Sequence, residues 1–238
     1  MTVKTEALRG LTGSADSIQL HTSNQSVTFP GNVTVTGTTT LNGTVTGDNA
    51  GALVFVGEQT LSGSTDTTIN VEDTALFDGT YDQVLIRITD HHPNTDESQF
   101  IARGKYGGSY QTTSHYVHTS NIFYEDSYDQ ITAGSNRDGS GQAFQMCKQI
   151  GNAAGESFSC DFWIDSPADT VNFKLFRWYP TYIRTSVQAM GGFGHGFYSN
   201  STTGQGALQG VQFGSWDSSG SAAQLKDIKI RKYGFKKS

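Results

Sequence analysis

A six-residue repeat near the start of the chain constrains the fold most strongly. Three successive hexads begin at Val27, Val33 and Thr39, and each has Gly at its fifth position. Positions one and three of each hexad are apolar or β-branched, so they share one face of a strand, and Gly permits the turn that follows. The repeat therefore predicts a β segment with a narrow apolar stripe.

Such a stripe has nothing to pack against within its own strand. Three identical parallel chains would bury their stripes around a common axis and leave no free edges. The alternative is a flexible Thr/Gly linker, but the regular spacing of the bulky residues favours an ordered trimeric shaft. The residues expected at the shaft axis are Val27, Phe29, Val33, Val35, Leu41 and Val45.

The chain changes character after residue 51, where short alternating strands are separated by turn clusters and no helical stripe is evident. This pattern is typical of a β-sandwich or jelly roll. The sequence thus predicts an all-β protein in three parts: an N-terminal anchoring segment (1–26), a hexad-repeat β shaft (27–51) and a jelly-roll-like β-sandwich head (52–238). Predicted strands include Val54–Val56, Val84–Ile88, Phe100–Ala102, Phe144–Met146, Phe158–Ile164, Val171–Leu175, Val211–Phe213 and Ile228–Ile230.

Three local patterns give sharper expectations. Residues 137–141 predict a turn, and the lysines around Ile228 and Ile230 indicate an exposed edge strand or a chain end. The glycine-rich residues 191–196 do not lead into a helix, so they predict a strand where backbones approach closely, at the trimer axis, rather than a phosphate loop.

The two cysteines, Cys147 and Cys160, flank a predicted hairpin turn at 151–155. Alternation places Cys147 on the polar side of its strand and Cys160 on the apolar side of the next. Directly opposed residues share one side of a sheet, so we expect two free thiols. Free thiols fit a reducing cytoplasm.

Several segments resemble fibre-like virion proteins of marine tailed bacteriophages. They are residues 76–93, 104–110, 150–153, 218–220 and 228–234, together with Ser17–Leu20 and the hexads. The resemblance lies in strands and turns, so it implies a structural role and transfers no catalytic residues. Because the chain is short for a tail fibre, its position on the head or the tail of the particle stays open.

Composition limits the partners. The net charge of −6 argues against nucleic-acid binding, and no apolar run is long enough to insert into a membrane. No apolar stretch follows Met1–Glu6, so we expect no secretory signal. The expected partners are two further copies of the chain, other virion proteins through the N-terminal segment, and host surface glycans, with assembly in the host cytoplasm and final location in the virion.

Catalytic and metal motifs are weak. No G-x-S-x-G elbow occurs, and the acids near aromatic residues (Asp126, Asp129, Asp161 and Asp165) are interpreted as solvated turn residues rather than a glycosidase pair. His115 and His118 would point to opposite faces of a strand. We interpret the histidines as surface or turn residues and expect no enzyme activity, metal or cofactor.

Tyr and Trp beside turns can stack on sugar rings while nearby polar groups bind hydroxyls, although core packing explains such residues equally well. The candidate receptor-binding residues are Tyr106, Tyr110, Tyr116, Tyr124, Tyr128, Trp178, Tyr179 and Tyr182. The sequence therefore predicts a homotrimeric phage attachment protein, and the main alternative is a head-decoration trimer that stabilises the shell. A polysaccharide-cleaving spike and a bacterial adhesin are the other classes considered.

Overall fold

The computed structural model describes residues 53–126, 130–185, 188–201 and 203–236, with the side chains of 124–126 and 130–140 excepted. The predicted anchor (1–26) and shaft (27–51), with all six shaft-axis residues, lie outside this part of the chain. The elements are β1 (Leu53–Ser64), β2 (Thr68–Val71), α1 (Thr74–Phe77), β3 (Tyr81–His92), β4 (Ser98–Tyr106), β5 (Ser109–Tyr110), β6 (Tyr116–Asp126), β7 (Gln130–Gly141), β8 (Phe144–Ile150), β9 (Phe158–Asp165), β10 (Leu175–Arg184), β11 (Gln188–Tyr198), β12 (Gly210–Trp216), β13 (Ala222–Ala223) and β14 (Lys226–Lys236).

The described strands form one curled antiparallel sheet with two parts. The larger part, here the main ladder, has the order β1-β14-β3-β9-β10-β11-β6-β7. The smaller part contains β8, β4 and β12, with β2, β5 and β13 at its margins. The two parts are joined where Ile150 of β8 pairs with Arg184 of β10. The prediction of an all-β chain is confirmed for these residues.

Aromatic rings from the two parts of the sheet meet in the core. Phe100 of β4 lies 4.7 Å from Phe158 of β9, and Phe162 lies 5.3 Å from Phe213 of β12 between ring centroids. The alternation of β9 explains its contribution, because Phe158, Cys160, Phe162 and Ile164 are all buried. Seven of the eight predicted strands named above lie within strands of the structure.

The prediction of a strand at Val171–Leu175 is wrong. Strand β10 begins only at Leu175, and Val171 is 72% exposed. The carboxylate of Asp169 accepts hydrogen bonds from the backbone N–H groups of Val171 and Asn172 at 2.6 and 3.0 Å. This local capping holds the segment as a loop despite its alternating apolar residues.

Two further local predictions are corrected. Residues 137–141 belong to β7, where Arg137 pairs with Thr119 and Gly141 pairs with Tyr116 across a register shift. Strand β14 is internal because β1 covers one edge and β3 covers the other. Its Lys232 is buried, and its ammonium contacts the Asp73 carboxylate at 2.7 Å. The lysines of this strand therefore do not mark an exposed edge.

Both cysteines are free, as predicted, but the argument from opposite faces is wrong. Strand β8 pairs with β4, not β9, and the β4–β8 register shifts around Phe100. The consecutive residues Met146 and Cys147 are consequently both buried, and Cys160 is buried on β9. Burial raises the pKa of both thiols.

The glycine-rich segment forms β11, as predicted, and its close contacts lie within this chain. A Cβ on Gly194 would be 2.3 Å from Cε2 and Nε1 of Trp178, and one on Gly196 would be 2.5 Å from the Val117 carbonyl oxygen. These glycines are needed because the indole and the neighbouring strand occupy the space of a side chain. Packing within the chain therefore explains them without a trimer axis.

Candidate functional site

The main ladder has an inner face, which packs in the core, and an outer face that turns away from it. Among the described residues, seven large apolar side chains are exposed, and six of them lie on the outer face; Val171, in a loop, is the exception. Exposed apolar residues gathered on one face indicate a contact surface, whereas scattered ones do not. The six are Leu53, Phe55, Phe123, Leu175, Tyr179 and Phe193.

Three of these rings lie on adjacent strands and form what we call the aromatic stripe: Phe123 on β6, Phe193 on β11 and Tyr179 on β10. The Phe123 and Phe193 centroids are 6.1 Å apart, and Tyr179 is 48% exposed. Gly191 also faces outward, opposite Phe123, and the nearest atom to a Cβ built there is the Pro180 carbonyl oxygen at 3.9 Å. The glycine leaves open space beside the rings.

Ion pairs within the chain border the stripe. Both carboxylate oxygens of Asp161 accept hydrogen bonds from Arg87, at 2.7 and 2.8 Å. At the end of β9, Asp165 contacts Arg177 of β10 at 2.8 Å. Asp161 and Asp165, weighed above as acids for glycoside cleavage, are thus each engaged by an arginine.

A second group of apolar residues covers the outer face of β1, β14, β3 and β9, and we call it the apolar cluster. Phe55 lies 5.5 Å from Tyr233, and Trp163 lies 6.3 Å from Phe235, in both cases between ring centroids. Leu85 lies opposite Trp163 and Tyr233 and is only 2% exposed, although it belongs to the outer face.

A depression of about 590 Å³ lies at the end of these strands. Six of its seven lining residues carry polar or charged side chains, and a smaller depression beside it shares Asp82 and Ser166. A hydrogen bond from the Asn172 side-chain amide, followed by those from the backbone N–H groups of Val171 and Asn172, lowers the pKa of Asp169 to about 2. The arrangement offers hydroxyl-binding groups next to an aromatic ring. The residues lining the larger depression are Asp82, Gln83, Asp165, Ser166, Arg177, Phe235 and Lys236.

Four of the predicted receptor-binding residues are core residues, so they cannot stack on a sugar. Tyr106, Tyr116, Trp178 and Tyr182 are each at most 3% exposed. Trp178 packs against Phe144 at 5.6 Å, and the Tyr116 hydroxyl donates to the Gln111 carbonyl at 3.0 Å while accepting from the Gly104 N–H. For these four, the packing interpretation replaces the glycan-stacking one.

Two other candidates are accessible but lie apart. Tyr110 is on β5, beside β4, where its hydroxyl donates to Glu72 at 2.6 Å, and burial raises its pKa. Tyr179 belongs to the aromatic stripe of the main ladder. The side chain of Tyr124 and the whole of Tyr128 lie outside the described residues. The structure therefore does not gather the predicted residues into one site.

Phe123 and Phe193 were missed as site residues. The usable signal was the alternation of β11, which places Phe193 on one face with the polar His195 and places Gly192, Gly194 and Gly196 on the other. An aromatic residue grouped with polar neighbours, opposite a row of glycines, indicates an outward ring.

The interpretation of the histidines as surface or turn residues is wrong for two of them. His91 is completely buried between Phe100 and Phe158, and burial lowers its pKa to about 4. His118 is buried beside Trp178. Within the described residues no three His, Cys, Asp or Glu side chains converge as metal ligands, and no helix has the length and hydrophobicity to cross a membrane. Comparison of the chain with protein-family models, with curated proteins and with solved structures gives no match.

Proposed function

We propose that this chain is a non-enzymatic structural protein of a phage virion that contributes to attachment to the host cell surface through glycans. The observation that carries the proposal is the aromatic stripe, in which three exposed rings lie on the adjacent strands β6, β11 and β10 of the outer face. Solvent-exposed rings beside hydrogen-bonding groups suit carbohydrate recognition. The resemblance to phage fibre-like proteins supplies the virion context.

The proposed assembly is a homotrimer, with the hexads as an intertwined shaft and residues 52–238 as a jelly-roll-like head. Three weak sites on one axis, repeated over many trimers on a particle, would give strong attachment through multivalency. Native mass spectrometry tests the assembly: we expect a trimer for the full chain and its dissociation by Val35→Asp with Leu41→Asp. A stable monomer of the unaltered chain would contradict the trimer.

Competition with virus adsorption tests attachment. Host cells are incubated with the purified chain, and the adsorption rate of virions from the same source is then measured. We expect the chain to slow adsorption in a saturable way, and antibodies raised against the chain to label purified virions. Unlabelled virions would refute the virion role, and labelled virions with unchanged adsorption would refute attachment.

The alternative, a head-decoration protein, is favoured by one feature of the outer face. The apolar cluster is more typical of a protein contact than of a sugar site, and Phe55 at its margin is 56% exposed. Under this alternative, antibodies label the capsid rather than the tail, and particles lacking the chain lose heat resistance while adsorbing normally.

A further inference from the structure

We propose that the aromatic stripe of Phe123, Phe193 and Tyr179 binds an uncharged, extended glycan chain. This inference rests on the proposed attachment function and names the class of ligand and the residues that hold it. The depression at Asp82 and the apolar cluster are separate features and are not needed for it.

The spacing of the three rings suits consecutive sugar units. Phe123, Phe193 and Tyr179 come from the adjacent strands β6, β11 and β10, and neighbouring strands lie about 4.8 Å apart. The stripe therefore spans about 10 Å across the strands, close to the length of two sugar rings in an extended chain. Sugar C–H groups pack against the electron-rich faces of aromatic rings.

The outward-facing Gly191 makes the stripe accessible to a ligand with bulky substituents. Gly191 lies opposite Phe123 on one side and opposite Thr181 on the other, and a Cβ there would meet only the Pro180 carbonyl oxygen, at 3.9 Å. A side chain at this position would stand between the rings. With glycine, a ring substituent of the sugar has room to enter.

The charges around the stripe favour a neutral ligand. Arg87 uses two N–H groups on the two oxygens of Asp161, which lies opposite Tyr179 on β9. This pairing leaves neither a free cation for an acidic sugar nor a free carboxylate for an amino sugar at that border. Asn121 lies opposite Phe193, and Thr181 lies on the same strand as Tyr179. Two further groups face the stripe: Arg177, which contacts Asp165 at 2.8 Å, and the exposed His195, two residues from Phe193.

Affinity electrophoresis of the full chain tests the inference. Gels contain one of the neutral polysaccharides dextran, mannan or xylan, or one of the acidic polysaccharides alginate or hyaluronan. The variants are Phe193→Ala and Tyr179→Ala, and the control is Val171→Ala, an exposed apolar residue in a loop outside the stripe. Native mass and thermal melting of each variant are measured in parallel.

We expect at least one neutral polysaccharide to retard the unaltered chain and the Val171→Ala control equally. Removal of either ring should weaken binding to this polysaccharide about tenfold, with the oligomeric state unchanged. The inference is overturned if no neutral polysaccharide in the panel retards the chain, if the acidic ones retard it more, or if the ring variants bind normally. It is also overturned if Phe193→Ala changes the number of copies in the assembly, because the stripe is then a contact between copies. Inhibition of virus adsorption without retardation by neutral glycans would remove this inference alone, whereas failure to inhibit adsorption removes the attachment function.

Discussion

Replacement of Gly194 by alanine tests the packing of β11 against the buried Trp178, which determines which side of β11 faces outward. The added Cβ would be 2.3 Å from two atoms of the buried Trp178 indole, a ring held between β9 and β11 by its core neighbours. Overpacking of a filled core costs about 1–3 kcal/mol, and the lower freedom of the unfolded chain offsets about 0.4–1 kcal/mol. Because the opposing atoms are a rigid ring, we expect a net loss near 2 kcal/mol, at the upper end of this balance.

Gly191→Ala is the matched control, since it makes the same chemical change three residues away on the same strand. Its Cβ would meet only the Pro180 carbonyl oxygen, at the ordinary contact distance of 3.9 Å. We expect it to leave stability unchanged or to raise it by up to about 1 kcal/mol, through the lower freedom of the unfolded chain.

Differential scanning calorimetry measures both variants. For a protein of this size, about 2 kcal/mol lowers the melting temperature by roughly 4–8 °C. Gly194→Ala should show this decrease, and Gly191→Ala should not. Equal melting temperatures for the two variants would refute the account of why the inner side of β11 is glycine, and with it the assignment of inner and outer faces.

Three further predictions concern buried polar groups. His91 has a pKa of about 4 in the folded chain against an ordinary 6.5, so the unfolded state binds a proton at higher pH than the folded state does. The free energy of unfolding should therefore fall by about 3 kcal/mol as the pH drops from 6.5 to 4. Denaturant titrations of His91→Gln should lack this pH dependence, and an equal dependence in both proteins would contradict the burial of His91. The thiols of Cys147 and Cys160 should react with a thiol reagent only after unfolding, so rapid labelling of the native chain would contradict their burial. Asp73→Asn should destabilise the fold by about 1–3 kcal/mol because it leaves the Lys232 ammonium buried without its counter-charge. Lys232→Met should lose less stability, and a larger loss for Lys232→Met than for Asp73→Asn in chemical denaturation would contradict this pairing.

Sequence patterns predicted those strands whose inner and outer residues differ clearly. Every second residue of strand β9 from Phe158 to Ile164 is apolar and buried, while the residues between them, including Trp163, lie on the outer face. The glycine-rich β11 was also predictable, because its glycines exclude a helix and indicate close backbone contact.

The errors arise where long-range pairing decides the outcome. The register shift beside Phe100 turns Cys147 into the core, and nothing within β8 announces it. Strand β14 contains several lysines, as edge strands often do, but residues 53–64, more than 160 positions earlier, pair with it and cover its edge. Asp169 holds residues 171–174 in a loop that alternation alone assigns to a strand.

The candidate site was hard to predict for a related reason. Trp178 and Tyr179 are adjacent aromatic residues, yet one is completely buried and the other is 48% exposed. The smaller part of the sheet covers one side of β10, and only this packing decides which of the two residues is exposed to water. Tyr179 and Phe193 come from the consecutive strands β10 and β11, but Phe123 lies on β6, far earlier in the chain, so only the pairing of β6 with β11 brings it to the other two rings.

The most direct test of the central claim, that the outer face attaches the protein to host cells, is a cell-binding titration. Fluorescently labelled full chain, its Phe193→Asp variant and its Val171→Asp control are titrated onto host cells and measured by flow cytometry. We predict saturable binding of the unaltered chain and of the control, and at least a tenfold loss for Phe193→Asp, because a charge in the stripe has no partner once a ligand covers it. Undiminished binding by Phe193→Asp, with its melting temperature unchanged, would contradict the claim.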